Sequence, residues 1–142
     1  MNIALPIEIV DLRDDGMHLF ITAKAGRKNC RLLLDTGASR TVFDSTQFQK
    51  LLPNAKLVDL ESLSTGLGTD SLPGKVSSIA HFKLGDFKVI DFPVIVLDLN
   101  HVNRSYESLG FKSIHGVLGS DILFKFKAEI DYGKLELRLH VN

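Results

Sequence analysis

Residues 32–39 read Leu32-Leu33-Leu34-Asp35-Thr36-Gly37-Ala38-Ser39. Three leucines in succession have the character of a buried strand. The run ends abruptly in a carboxyl group, a hydroxyl and a glycine. Asp35 stands where the strand emerges, so its carboxylate is expected to be partly desolvated. Gly37 lets the backbone turn tightly. A second segment, Val117-Leu118-Gly119-Ser120-Asp121, is built in a related way. Two bulky apolar residues precede a glycine, which permits close approach of another backbone segment. Asp121 is expected to make a structural bond or salt bridge at the start of the short helix that follows.

Period-two alternation surrounds both segments. Ile3, Leu5, Ile7 and Ile9 alternate, and Pro6 within them removes a ladder donor, which places this strand at an edge. Asp14-Asp15-Gly16 is a turn signal, Met17, Leu19, Ile21 and Ala23 alternate after it, and a further turn leads to a strand over Cys30 to Leu34. Asp44-Ser45-Thr46-Gln47 has the form of a capping box, predicting a short helix near 45–52 that Pro53 stops. Strands are expected near 56–62, 74–84 and 87–97. The stretch from Asn100 to Ser113 is polar and irregular, with at most a short helical turn. A second short helix is expected over 120–126, and a last hairpin about Tyr132-Gly133. The predicted class is mostly β with a few short helices, in a barrel-like or sandwich arrangement, and 1–142 is read as one domain.

At 142 residues the chain is long enough to bury a core without staples. Lys plus Arg and Asp plus Glu total 17 each, so the net charge is zero, which argues against a general nucleic-acid binder. The single cysteine, Cys30, excludes an intrachain disulfide. No run approaches the roughly 18 apolar residues of a membrane span, and the first ten residues lack the form of a signal peptide. A cytoplasmic protein with no membrane partner is the expectation. The five histidines show no metal-ligand spacing, so neither a metal nor another cofactor is expected. Lys24, Arg27, Lys28 and Arg31 form a local basic cluster, read first as a solvated hairpin face, with guidance of acidic peptides as the alternative.

Taken together, Asp35-Thr36-Gly37-Ala38-Ser39 and the later Val117-Leu118-Gly119 element resemble the retropepsin-like (retroviral-type) aspartic proteases, in a bacterial-type single-domain form. The resemblance spans roughly Met17 to Leu139. It implies a single-lobe acid protease fold, a closed or orthogonal β-barrel with two short helices, that is active as a homodimer. It also implies that Asp35 is catalytic, that Thr36, Gly37, Ala38 and Ser39 support the active-site loop, and that Val117, Leu118, Gly119 and Asp121 form the structural glycine element. Ser64 to Thr69 lies where the family carries its glycine-rich flap, which makes Thr65, Gly66, Leu67 and Gly68 candidate substrate-binding residues.

The chemistry accounts for the residue types. An aspartic protease needs two carboxylates sharing one proton across a water. Like charges about 3 Å apart cannot both ionise, so one member acts as base and the other as acid. Asp-Thr-Gly occurs once here, so the resemblance implies that each of two subunits supplies one Asp35, across an isologous interface. Asp131-Tyr132-Gly133 and Asp14-Asp15-Gly16 are read as turns. Ala38 has no hydroxyl to hold the ionised carboxylate, so activity is expected nearer neutral pH than in relatives with serine there. The expected substrate is an extended peptide or protein. The alternative function is a catalytically silent peptide-binding or dimerisation module of the same fold. The two terminal strands either build a sheet between subunits or pack in their own core, and periodicity does not separate these.

Overall fold

The computed structural model describes residues 1–60 and 74–141. The strands in chain order are β1 (Asn2–Pro6), β2 (Glu8–Asp11), β3 (Met17–Ala25), β4 (Lys28–Leu34), β5 (Val42–Asp44), β6 (Val58–Asp59), β7 (Lys75–Leu84), β8 (Phe87–Leu97), β9 (Gly116–Leu118), β10 (Glu129–Asp131) and β11 (Glu136–His140). Three short helices are interposed, α1 (Ser45–Leu51), α2 (Asn100–Ser108) and α3 (Ser120–Lys125). Eight strands form one sheet in the order β2-β3-β4-β9-β5-β8-β7-β6. Lys24↔Lys83 and Ala25↔Phe82 join β3 to β7, which closes six of these strands into a barrel. The mostly β, closed-barrel expectation therefore holds.

The barrel interior is filled by the alternate residues that the period-two pattern marked. Ile21, Ala23 and Ala25 of β3 and Cys30, Leu32 and Leu34 of β4 face inward. Phe82 and Phe92 stack with centroids 5.0 Å apart, and Phe43 meets Phe48 edge-on at 5.6 Å. Each fully buried ring of this kind stabilises the fold by roughly 1.5–3 kcal/mol. Helix α1 begins at Asp44, whose Oδ2 accepts from the Gln47 N–H at 3.0 Å, while Oδ1 accepts from the Leu99 N–H at 2.8 Å. One buried carboxylate thus caps a helix and anchors the chain leaving β8.

Two elements differ from the sequence reading. The first alternating strand is divided. β1 pairs with β11 in a three-stranded sheet of order β1-β11-β10, whereas β2 joins the barrel sheet beside β3. Pro6 lacks the N–H that continued pairing needs, and the pattern changes phase there: Ile7 is buried, Ile9 is exposed and Val10 is buried. Both pieces are edge strands. The second difference is α2, a nine-residue helix where only an irregular segment with a helical turn was expected. Its sequence has weak helix propensity and its N-cap, Leu99, supplies no side-chain bond. Tertiary contacts hold it instead. Asn103 Nδ2 donates to the Ile114 carbonyl at 3.1 Å, and its Oδ1 accepts from the Ile114 N–H at 2.7 Å. Tyr106 packs edge-on against Phe20.

The terminal strands pack within their own chain: Ile3 and Leu5 of β1 and Leu137 and Leu139 of β11 belong to the main core. Among the described residues no helix is long and apolar enough to cross a membrane.

Candidate active site

The topology brings the two sequence segments together. β9 runs parallel to β4, with Leu32↔Gly116, Leu33↔Val117 and Leu34↔Leu118, and antiparallel to β5 on its other side. It is therefore inserted between the two strands that flank the Asp35 loop. The Asp35 N–H donates to the Leu118 carbonyl at 3.1 Å, and the Ser120 N–H donates to the Ala38 carbonyl at 2.7 Å. Gly119 lies beneath the loop. A Cβ there would stand 2.7 Å from the Arg40 carbonyl oxygen and 2.8 Å from that of Ala38, and one at Gly116 would stand 2.3 Å from the Val42 oxygen. No side chain fits at either position, which is why apolar-apolar-glycine is the sequence that supports this loop.

Thr41, fully buried, ties the loop to α3. Its hydroxyl donates to Asp121 Oδ1 at 2.8 Å and accepts from the Gly119 N–H at 3.1 Å, and its N–H donates to Asp121 Oδ2 at 2.9 Å. Asp121 Oδ1 also accepts from the Ile122 N–H. Asp121 is thus committed to fastening the loop, and Thr41, which carried no signal of its own in the sequence, is its partner.

Above this clamp Asp35 is half-buried and Thr36, Gly37 and Ser39 are exposed, with Ala38 intermediate. The Gly37 N–H donates to Asp35 Oδ1 at 3.0 Å, and the Ala38 N–H donates to the Asp35 carbonyl at 3.2 Å. The loop fixes the carboxylate by one oxygen, and Asp35 lines an open cavity of about 390 Å³. Met17, His18, Leu19, Leu33, Ile130 and Tyr132 line this cavity together with Asp35 and Thr36. His18 Nδ1 lies 2.7 Å from the Tyr106 hydroxyl. Burial pushes the Tyr106 hydroxyl above its ordinary pKa, Arg31 pulls it down, and the Asp35 carboxylate pushes it up again.

His18, Ile130 and Tyr132 were not recognisable as cavity residues, because His18 comes from β3 and the other two from the distant β10 hairpin, and none sits in a motif. Asp131 is engaged in its own hairpin, accepting from the Lys134 N–H at 2.9 Å and pairing with Arg138 at 3.2 Å. These bonds hold its carboxyl below the usual range. Thr65, Gly66, Leu67 and Gly68, expected as the flap, lie outside the described residues. Cys30 is fully buried, and burial pushes its thiol up to about 12, so it is inert. Among the described residues no group of three His, Cys, Asp or Glu side chains could hold a metal ion.

A closed barrel with a glycine-supported Asp-Thr-Gly loop defines the class of retropepsin-like aspartic proteases. The sequence agrees: residues 21–122 match the family model described as aspartyl protease, and the chain belongs to that family. No curated protein sequence matches it. Among solved structures, a retropepsin-like aspartic protease from Rickettsia conorii superposes with a TM-score of 0.55 at 21% identity, covering 98% of this chain and 90% of that one. The retroviral protease-like domain of Ddi1 from Leishmania major gives 0.53 at 13% identity, with 82% of each chain covered. EIAV protease complexed with an inhibitor gives 0.54 at 18% identity, covering 79% of this chain and 90% of that one. At these identities the superpositions speak to the fold.

Proposed function

We propose that this chain is an aspartic-type endopeptidase that hydrolyses extended peptides, with Asp35 of two copies forming the catalytic pair. The observation that carries the reading is the Asp35 loop itself. One carboxylate is held by the Gly37 N–H, clamped from beneath by Leu118 and Ser120, and faces an open cavity. A lone carboxylate of this kind does half of the reaction. When a second copy brings its own Asp35 close, mutual repulsion splits the two pKa values. The ionised member takes a proton from water as that water attacks the peptide carbonyl. The protonated member donates to the carbonyl oxygen, and the proton later passes to the leaving nitrogen. The pair titrates as a unit, so neither copy owns a fixed role.

Thr36 fits this arrangement. It is exposed and its hydroxyl makes no hydrogen bond within the described chain, which leaves it to bond across a two-fold axis. Gly37 admits the facing backbone. Ala38 and Ser39 complete the supporting loop, and the segment with Thr65, Gly66, Leu67 and Gly68 is assigned to substrate contact, where an extended peptide adds strand-like hydrogen bonds.

The test is cleavage of a peptide library by the native chain and by Asp35→Asn, with the mass in solution measured alongside. The substitution should lower hydrolysis by about 10²–10⁴-fold with no loss of thermal stability. Equal cleavage by both would refute the assignment, as would full activity from a strict monomer. Peptide binding without cleavage by either would identify a silent recognition module instead.

A further inference from the structure

The outer face of the barrel beside β4 carries a second concave region that shares no residue with the Asp35 cavity. It has a volume of about 500 Å³ and is lined by Glu8, Thr22, Asn29, Arg31, Lys112 and His115, among others. Arg31 on β4 and Asp35 just past its end are four residues apart, roughly 13 Å along an extended chain. A smaller cavity of about 250 Å³ adjoins it, sharing Thr22 and Asn29 and adding Lys24 and Lys83.

Two independent observations give this region its character. The first is a row of like charges. Lys24 of β3 stands directly opposite Lys83 of β7, and Lys83 stands directly opposite Lys88 of β8. None of the three forms an ion pair among the described residues. Like charges directly opposite on neighbouring strands destabilise a sheet, so this row is a standing cost to the fold. The second is Arg31. Its guanidinium lies 4.0 Å over the Phe20 ring, its Nη1 pairs with the largely exposed Glu8 carboxylate, and its Nε is buried with no partner. Burial lowers its pKa, and Tyr106 opposes that shift. His115 Nδ1 accepts from the Arg31 N–H at 2.9 Å, so the neutral ring carries its proton on Nε2 and is a further donor.

We propose that this face is an exosite for an acidic peptide segment, whose carboxylates settle along the lysine row and in the Arg31 pocket. Glu8 already shows which ligand the pocket accepts. It is a carboxylate from an edge strand resting on Arg31, and it competes with an incoming one. A peptide is favoured over a polyphosphate backbone because the chain as a whole carries no net positive charge, 17 basic against 17 acidic residues, to attract a polyanion. As a recruitment site for protein substrates it rests on the peptidase reading, but the binding itself does not.

The experiment therefore reads binding alone. Fluorescence anisotropy of a labelled oligo-glutamate peptide is measured at low salt against the full chain and three variants. Lys24→Glu should weaken binding roughly tenfold or more, Glu8→Gln should tighten it, and Lys56→Glu, an exposed control outside both cavities, should leave it unchanged. Lys24→Glu also replaces a like-charge pair with an opposite one, so its melting temperature should hold or rise while affinity falls. Loss of binding through misfolding would move the two together. Equal affinity in Lys24→Glu and Lys56→Glu would overturn the proposal. So would equal binding of an oligo-glutamine peptide, or of an oligothymidylate at matched charge.

Discussion

On one side of β4 stand Cys30, Leu32 and Leu34, and on the other Arg31, Leu33 and Asp35. The inner three lie in the main core, where the thiol is held protonated and the two leucines are enclosed by aromatic rings and β9. Of the outer three, Leu33 packs on the smaller cluster with Val10 and Tyr106, Arg31 meets Glu8 of β2, and Asp35 lines the open cavity. A single strand thus separates a chemically inert interior from the surface on which chemistry is possible. The barrel fills its interior, and Asp35 sits where β4 ends.

The sharpest way to break this comparison is to shorten adjacent leucines on opposite faces. Leu32→Ala opens a void in the closed interior and should cost about 2–5 kcal/mol. Leu33→Ala, half-buried in the smaller outer cluster, should cost about 1 kcal/mol, in line with its partial burial. Urea midpoints measured on both variants decide the matter. Equal losses would mean that the outer cluster is as much a core as the barrel. A second variant sharpens the comparison at the loop. Thr41→Val keeps the shape of the side chain but strips Asp121 Oδ1 and the Gly119 N–H of their shared hydroxyl. It should cost about 1–3 kcal/mol and lower peptidase turnover beyond what stability explains, since Asp121 and Gly119 both support the Asp35 loop. Turnover unchanged at a temperature where the variant is folded would show that the loop holds without this tie.

The same contrast explains what could be read before the structure. Inner-face residues announce themselves by alternation, because burial on one face imposes a period of two. That made β3, β4, β7, β8 and β11 legible, and Asp44 with Gln47 marked α1 through its cap. The Asp35 loop and the Val117-Leu118-Gly119 element were legible for a different reason: close backbone approach admits few residue types. Helix α2 was not, because Asn103 and Tyr106 stabilise it through partners elsewhere in the chain. The lysine row was invisible for a similar reason. Lys83 and Lys88 face each other within the β7–β8 hairpin, but Lys24 joins them only when β3 closes on β7. The basic cluster noticed in the sequence contained one of the three.

The smallest expected effect tests the seam between the two faces. His115 bridges β4 and β9, its own N–H donating to the Arg31 carbonyl and its Nδ1 accepting from the Arg31 N–H. Burial lowers its pKa below the ordinary 6.5, with Asp44 opposing that shift. Above pH 6.5 the ring is neutral in the folded and unfolded chains alike and contributes no pH dependence. Below 6.5 the unfolded chain takes up a proton that the folded chain resists, so stability falls until the pH passes the lowered folded value. The carboxyls of Glu129 and Asp131 are also held low, by His140 and by Lys134 with Arg138 respectively, but from ordinary values of 4.5 and 3.8. Their contribution is full above those values and disappears in a more acidic window. His115→Gln keeps an acceptor for the Arg31 N–H and cannot titrate. Denaturant midpoints followed from pH 7.5 downward should therefore decline just below 6.5 in the native chain and stay flat there in the variant, while both fall together below about 4. A decline of equal size in both just below 6.5 would move the sensitivity away from this seam and onto another of the five histidines.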